Sequence, residues 1–441
     1  MARETIVPSR RTLLRRMAAL PWLGYFAAQD LWAKMQKAAG RASPSNIYTR
    51  IGVTPVINAR GTWTYISGSL ELPEVKAAKQ QAAEHFVDMW ELQRAVSKRL
   101  AELSGAEAGM VTAGAAAAMA TATAACMAGT DPARIWQLPD RTGMKYEVVM
   151  FGGRISFDSA IRAAGGQLVM AYTYEEFEAS INEKTVMVYT TARGERLEKG
   201  LAIAKKAKVP LLLDWAAGIP PIENLSLPAK LGVDLYTFSG GKGLCGPQCT
   251  GLLLGRKDLI EAALANSCPW EGALCRSMKV GKEEIMGCLA AVEAWKKRDL
   301  ARLDRDWSGR VNRIARLVQT VPGVTAEVQT PQGGNRYPTL SVIWDEAAFK
   351  LTIQECAQRL RDGSPRIEVL TANNPSMVPG VREGDPNAPR RAASAPRLRI
   401  VSATLQPGEE LLVGRRLREV LAEARKKAFE LRFLSQKCND G

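Results

Sequence analysis

Between residues 148 and 255, short unbroken apolar runs alternate with stretches of helical spacing: Val148-Val-Met-Phe151, Gln167-Leu-Val-Met170, Val186-Met-Val-Tyr189, Leu211-Leu-Leu213, Tyr236-Thr-Phe238 and Leu252-Leu-Leu254. Runs of this length with no polar alternation predict strands buried on both faces, so the pattern reads as a mainly parallel sheet covered by helices on both sides. Upstream, residues 92–103 carry helical apolar spacing that stops at Gly105, and Met110-Val-Thr-Ala-Gly114 reads as a short turn into an alanine-rich helix over 115–128. Downstream, helical patterns over 282–298 and 299–320 lead to short strands near 340–343 and 398–401, and a closing helix is expected over 409–433. The segment 377–396, rich in Pro, Gly, Ala and Arg, reads as a loop. The expected organisation is a leader and linker over 1–42, a larger α/β domain with its N-terminal segment over 43–298, and a smaller C-terminal α/β domain over 299–441.

Composition narrows the function classes. A chain of 441 residues with 46% hydrophobic residues can bury a large core, and no stretch approaches the ~20 apolar residues of a spanning helix. Of the formal charge of +15, the first 42 residues supply +6, from eight Lys/Arg and two acids. The remainder is spread without a basic stripe interleaved with aromatics, which argues against a nucleic-acid partner and suits anionic small molecules. Eight cysteines without CxxC spacing and a single histidine, His85, give no metal site; His85 reads as structural and most cysteines as buried thiols, which leans toward a reducing compartment. The N-terminus leans the other way. Ser9-Arg10-Arg11-Thr12-Leu13-Leu14-Arg15 ahead of an apolar run over 17–28 resembles a twin-arginine signal, so export to the periplasm is the expectation, with a basic amphipathic helix on a cytoplasmic protein as the alternative.

The candidate chemistry centres on two residues. Lys242 sits in Ser239-Gly-Gly-Lys-Gly-Leu-Cys-Gly-Pro-Gln248 directly after an apolar strand, among glycines that let other atoms approach closely. Asp214 ends the run Val209-Pro-Leu-Leu-Leu-Asp214, 28 residues earlier. In a parallel sheet both fall at carboxyl strand ends, where ligands gather. A desolvated lysine is a nucleophilic amine, and a carboxylate beneath a pyridine nitrogen keeps that nitrogen protonated; together the pair points to pyridoxal 5'-phosphate. The small residues opening the helix at 115 leave backbone N–H groups for a phosphate.

Pro55-Val-Ile-Asn-Ala-Arg-Gly-Thr62, Gly105-Ala-Glu-Ala108 with Thr112-Ala-Gly-Ala-Ala116, the stretch 234–248 and Met278-Lys-Val-Gly-Lys-Glu-Glu-Ile285 resemble the selenocysteine-synthase-like group of pyridoxal-phosphate enzymes, on the side of the D-glucosaminate-6-phosphate ammonia-lyase-like proteins. The resemblance runs from about residue 47 to the C-terminal helix. It implies an aspartate-aminotransferase-like fold (fold type I), a homodimer or larger assembly, Lys242 as the Schiff-base lysine and Asp214 as partner of the pyridine nitrogen. It further implies a phosphate cup at Gly114, Ala115 and Ala116 helped by Ser239, with Arg60, Arg276, Lys279 and Arg399 as candidates for substrate anions; solvent-facing salt bridges are the alternative for these four. Where relatives are expected to carry histidines, this chain reads Gly152-Gly-Arg-Ile-Ser-Phe-Asp-Ser159, leaving Phe157 or Arg154 to stack on the cofactor ring.

The expected reaction is α,β-elimination and deamination of a small 2-amino acid or amino sugar acid. Transfer, as in selenium transferases or aminotransferases, and cofactor binding without turnover stay open, because lysine and aspartate begin all of these alike. Export would put phosphosugars and charged tRNA out of reach and favour an unphosphorylated β-hydroxy 2-amino acid, with Arg399 on its carboxylate.

Overall fold

The computed structural model describes residues 46–152, 154–334, 336–371 and 397–439. The leader motif and the segment 377–396 lie outside the described residues. The chain divides into two units at Val56–Ile57. The described part of the first holds one 3-10 turn, Thr49–Ile51, closed by Gly52.

The second unit opens with β1 (Ile57–Ala59) and carries a seven-stranded sheet built from β2 (Ala108–Thr112), β3 (Glu147–Phe151), β4 (Gln167–Ala171), β5 (Thr185–Thr190), β6 (Leu211–Asp214), β7 (Leu235–Ser239) and β8 (Gly251–Gly255). Their order is β2-β8-β7-β6-β5-β3-β4; β8 runs antiparallel to both neighbours and every other pairing is parallel. Side chains alternate between two cores. Val149, Phe151, Leu211, Leu213, Leu252 and Leu254 face one apolar cluster, while Val148, Met150, Leu212 and Leu253 face the other. This explains the unbroken apolar runs: both faces of the inner strands are covered, while the edge strand β4 is only partly buried.

Three helices frame the site. Helix α1 (Pro73–Ala83) packs on α4 (Lys282–Lys296). Helix α2 (Met89–Ser104) starts at Asp88, whose carboxylate accepts from Trp90 N and Glu91 N at 2.8 and 2.9 Å. Helix α3 (Ala115–Ala128) is buried nearly all round, as a helix apolar on every face must be, and lies against the sheet. Its approach corrects one expectation: Met110, Val111 and Thr112, expected in a turn over 110–114, belong to an edge strand over 108–112. All five are buried and pair with β8, and their small size concealed the strand pattern.

The third apolar cluster gathers helix α5 (Leu300–Val318), β9 (Thr325–Gln329), β10 (Thr339–Ile343), β11 (Ile367–Val369), β12 (Leu398–Val401) and helix α6 (Glu409–Asn439). Strand β1 belongs to this cluster, pairing in parallel with β11 from Ile57↔Ile367 to Ala59↔Val369. No helix among the described residues is long and apolar enough to cross a membrane.

Candidate active site

Sheet register assembles the site. Asp214 at the end of β6 is level with Thr237 on β7, and Ser239, two residues on, is level with Gly251 of β8, which is in turn level with Thr112 of β2. Ser239 and the turn opening α3 therefore meet across one strand. That strand must start with glycine, since a Cβ at Gly251 would lie 2.5 Å from Ala115 N and from Gly114 C. Gly114 caps the helix with φ 97°, and the Thr112 hydroxyl donates to Gly114 O at 2.9 Å, locking the turn. The first amides of α3 are thus left facing a small space at the sheet edge, an arrangement that accepts phosphate.

Lys242 follows β7 in a loop held from both sides. Gly240 N donates to Thr250 O, and Gly246 N to Gly240 O, each at 2.8 Å. From the segment before α1, Ser69 N donates to Gly241 O and Leu72 N to Cys245 O, both at 3.0 Å, while Gln248 Nε2 donates to Thr64 O at 3.0 Å. Gly243 passes so close to the chain that a Cβ there would meet Ile219 O at 1.8 Å. Burial pushes the Lys242 ammonium down from its ordinary value and the nearby Asp214 carboxylate opposes this.

Both Asp214 oxygens are engaged. Oδ2 accepts from the Tyr189 hydroxyl and Oδ1 from Ala216 N, each at 2.8 Å. Tyr189, buried on β5, has its hydroxyl pushed well above the ordinary value by burial and then by Asp214, so it remains a donor. The Phe157 ring lies over Lys242, with Nζ 5.8 Å from its centroid. Arg154, the other residue expected to stack, is paired with Asp158 instead.

Of the four expected anion-binding cations, Arg60 and Arg399 meet adjacent residues, Val369 and Leu370. Arg60 is buried in the third cluster, donating to Val369 O at 2.8 Å. Arg276 and Lys279 lie on the segment before α4, which packs near Trp136 through Gly272 and sets Trp270 edge-on against Trp90. Arg399, on β12 opposite Ser341, is half-buried, and its buried Nε has no acceptor among the described residues. Burial and then Arg397 push it below the ordinary arginine value. Arg276, Lys279 and Arg399 form no ion pair among the described residues, so the salt-bridge alternative does not account for them. His85 is exposed in the turn between α1 and α2.

Two residues escaped sequence reasoning: Tyr189 and Arg193. The Arg193 guanidinium lies over the Trp215 ring, 4.5 Å from its centroid, and feels the charge of Asp214. Both sit at the carboxyl end of β5 in Tyr189-Thr-Thr-Ala-Arg193, and the rule that ligands gather at such ends was the signal available.

Comparison with known proteins agrees with this geometry. Residues 161–278 match the class-V aminotransferase family. The chain is 28% identical over 396 residues to D-glucosaminate-6-phosphate ammonia lyase of Salmonella typhimurium, covering 86% of this chain and 99% of that protein. It is 31% identical over 395 residues to 5'-C-glycyluridine monooxygenase-decarboxylase of a Streptomyces species, covering 85% and 92%. L-seryl-tRNA(Sec) selenium transferase of Moorella thermoacetica is 24% identical over 63% of this chain and 66% of its own length. A solved D-glucosaminate-6-phosphate ammonia-lyase structure superposes with a TM-score of 0.70 at 27% identity, covering 86% of this chain and 99% of that one. The chain belongs to the selenocysteine-synthase-like family of pyridoxal-phosphate enzymes, with the class-V aminotransferase form of fold type I.

Proposed function

We propose that this enzyme is a lyase that uses pyridoxal phosphate to release ammonia from a small 2-amino acid or amino sugar acid bearing a β-hydroxyl. The observation that carries the reading is the meeting, at one sheet edge, of a desolvated amine at Lys242, a carboxylate with both oxygens hydrogen-bonded at Asp214 and the open N-terminus of α3. The end-to-end match to a protein named as an ammonia lyase supports elimination over transfer, since the selenium transferase matches over a smaller share of both chains.

The donor set fits the cofactor. The N–H groups at Ala115 and Ala116 with the Ser239 hydroxyl would hold its phosphate, the Gly114 N–H being spent on Thr112 O at 2.9 Å, while Asp214 would hold its ring nitrogen and Phe157 one face of its ring. When bound, pyridoxal phosphate supplies an electron-withdrawing ring that stabilises negative charge on the substrate α-carbon. Lys242 would hold the group through Nζ, and as a free amine it would accept the α-proton, a task helped by the burial that lowers its pKa. Its ammonium can then return the proton to the departing β-hydroxyl. Tyr189 and Ala216 N–H both donate to Asp214 and fix the direction of its carboxylate. Arg399, lacking an anion among the described residues, would take the substrate carboxylate. Loss of water leaves an enamine that hydrolyses to a 2-keto acid and ammonia.

The test is to incubate purified holoenzyme with β-hydroxy 2-amino acids and amino sugar acids, expecting keto acid and ammonia in equal amounts. The 31% identity to a monooxygenase-decarboxylase supports a second reading, loss of the carboxyl group with oxygen. Oxygen uptake with carbon dioxide release, and no keto acid under anaerobic conditions, would replace the lyase reading with that one. Two further parts of the proposal rest on sequence and family. Residues 1–42 act as an export leader, which a reporter fusion tests by losing export when Arg10 and Arg11 become lysine, and the enzyme assembles as a homodimer or larger, which sedimentation tests.

A further inference from the structure

A cavity beside the edge strand β4 takes no part in the chemistry above. It measures about 550 Å³ and is lined by Pro139, Arg141, Arg154, Arg162 and residues 165–168. Strand β4 lies four places from β7 in the sheet, and the cavity reaches its amino end at Gln167, whereas Asp214 and Lys242 belong to carboxyl ends. The two walls touch: Gly165, at φ 96°, passes so near Pro139 that a Cβ would lie 2.9 Å from its carbonyl oxygen. Every charged side chain lining the cavity is an arginine.

Each guanidinium is held in place. Arg154 donates to Asp158 through Nε, and through Nη2 at 3.0 Å, while Arg162 Nε donates to Oδ1 of the same carboxylate at 3.4 Å. Asp158 is buried and serves both. Arg141 lies over the Tyr146 ring, 4.2 Å from its centroid, and Tyr146 is tied to the edge strand because its carbonyl accepts from Gln167 N at 2.9 Å. Arg141 forms no ion pair among the described residues, and the neighbouring Asp140 is spent on Thr142 N and its hydroxyl at 2.9 and 2.7 Å. Three cations around one carboxylate leave an excess of two positive charges, and gathering them without a counter-anion costs energy. The N–H edges not turned to Asp158 are free to take an anion, and a phosphate dianion matches both the excess charge and the forked donors.

We propose that this cavity binds a small molecule bearing a phosphate group, and that its occupancy holds Phe157 over Lys242. Phe157 is the residue before Asp158, and its ring centroid lies 5.8 Å from Lys242 Nζ. An anion favours the arrangement in which the arginines are gathered at the cavity, and that is the arrangement in which Phe157 covers the amine. By linkage, binding in the cavity and cover of the cofactor strengthen each other. The link to Phe157 rests on the reading of Lys242 as the cofactor lysine; the anion site itself does not.

Calorimetry on the holoenzyme, whose phosphate cup is filled, tests the site with inorganic phosphate, pyrophosphate and adenosine monophosphate, against acetate and a short single-stranded oligonucleotide. The wild type should bind at least one of the three phosphates about tenfold or more tighter than acetate, the size expected of one charge-assisted contact. Tighter binding of inorganic phosphate or pyrophosphate names a free anion as the source, and tighter binding of adenosine monophosphate names a phosphate ester. Arg141→Gln and Arg162→Gln, both at exposed positions, should each weaken that binding about tenfold, while Arg305→Gln, exposed on α5, should leave it unchanged. The site is overturned if no phosphate exceeds acetate, if Arg305→Gln weakens binding as much as the other two, or if only the oligonucleotide binds. The tightest of the three phosphates should also slow cofactor release on dialysis about fivefold, read by absorption, in the wild type and not in Phe157→Ala. Release at an unchanged rate in the wild type overturns the link to Phe157 even where the anion binds. Because calorimetry measures no ammonia, anion binding in a protein that releases none leaves the site standing and sinks only the lyase reading.

Discussion

The Tyr189 hydroxyl donates a 2.8 Å hydrogen bond to Oδ2 of Asp214, joining neighbouring strands at the edge where the chemistry is placed. Tyr189→Phe should keep the cofactor bound but lower kcat about tenfold, or ~1.4 kcal/mol of transition-state stabilisation. Turnover at the wild-type rate, measured with cofactor content by absorption, would mean that Ala216 N–H alone orients the carboxylate.

Lys242 should be the fastest-reacting amine in the cofactor-free protein. Its pKa lies below the ordinary 10.5, burial being the main cause and Asp214 the opposing one. At a given pH a larger neutral fraction reacts, so trinitrobenzenesulfonate should label Lys242 ahead of the surface lysines. Asp214→Asn removes the charge that raises this pKa and should move it further down, speeding the labelling, while in the holoenzyme the same change should cut kcat on the order of 100-fold. Peptide mapping after labelling checks the first part, and label on another lysine would refute the assignment.

Phe157 covers Lys242 where relatives were expected to carry histidine. Phe157→Ala should weaken cofactor retention about tenfold, in line with the ~0.5–1.5 kcal/mol of an aromatic stack. Phe157→His should recover most of it. Equal retention in all three proteins, followed by dialysis and absorption, would show that the ring stacks on nothing.

Gly251→Ala places a methyl carbon 2.5 Å from Ala115 N. The start of α3 must shift, and the phosphate cup with it. The expected result is loss of cofactor affinity by more than tenfold with helical content retained, read by fluorescence titration and circular dichroism. Unchanged affinity would place the phosphate elsewhere.

Arg399→Lys keeps the charge and loses the planar fork. KM for the amino acid should rise about tenfold or more while kcat changes little, the signature of lost ground-state binding. A kcat loss without a KM change would instead tie Arg399 to the chemical step.

Much of this arrangement was legible in the chain. Six apolar runs became six strands because burial on both faces leaves a plain hydrophobic signature, and Asp214 and Lys242 stood out as polar residues at strand ends. Strand β2 was not legible, because Ala108 and Gly109 carry too little side chain to mark a pleat. Tyr189 was read as one more apolar residue of β5; its hydroxyl has meaning only once β6 brings Asp214 beside it. Arg193 was one arginine among many until Trp215 turned out to lie beneath it. The candidate Arg60 shows the reverse limit: its charge and its place in a motif did not reveal that its guanidinium is carried to Val369 O.

The hydrogen bonds that join Thr64 O, Ser69 N and Leu72 N to the loop around Lys242 span more than 170 residues of chain. Contacts of such sequence separation form late, because the entropy of closing the intervening chain must be met before they contribute. The amine and the strand that carries it can therefore exist before the loop holds its final shape. During synthesis, the first half of the protein emerges with one side of that loop already made and nothing to close upon. Cofactor capture should accordingly mark the end of folding rather than its beginning, and an intermediate with the parallel sheet formed but residues 64–72 undocked should be colourless.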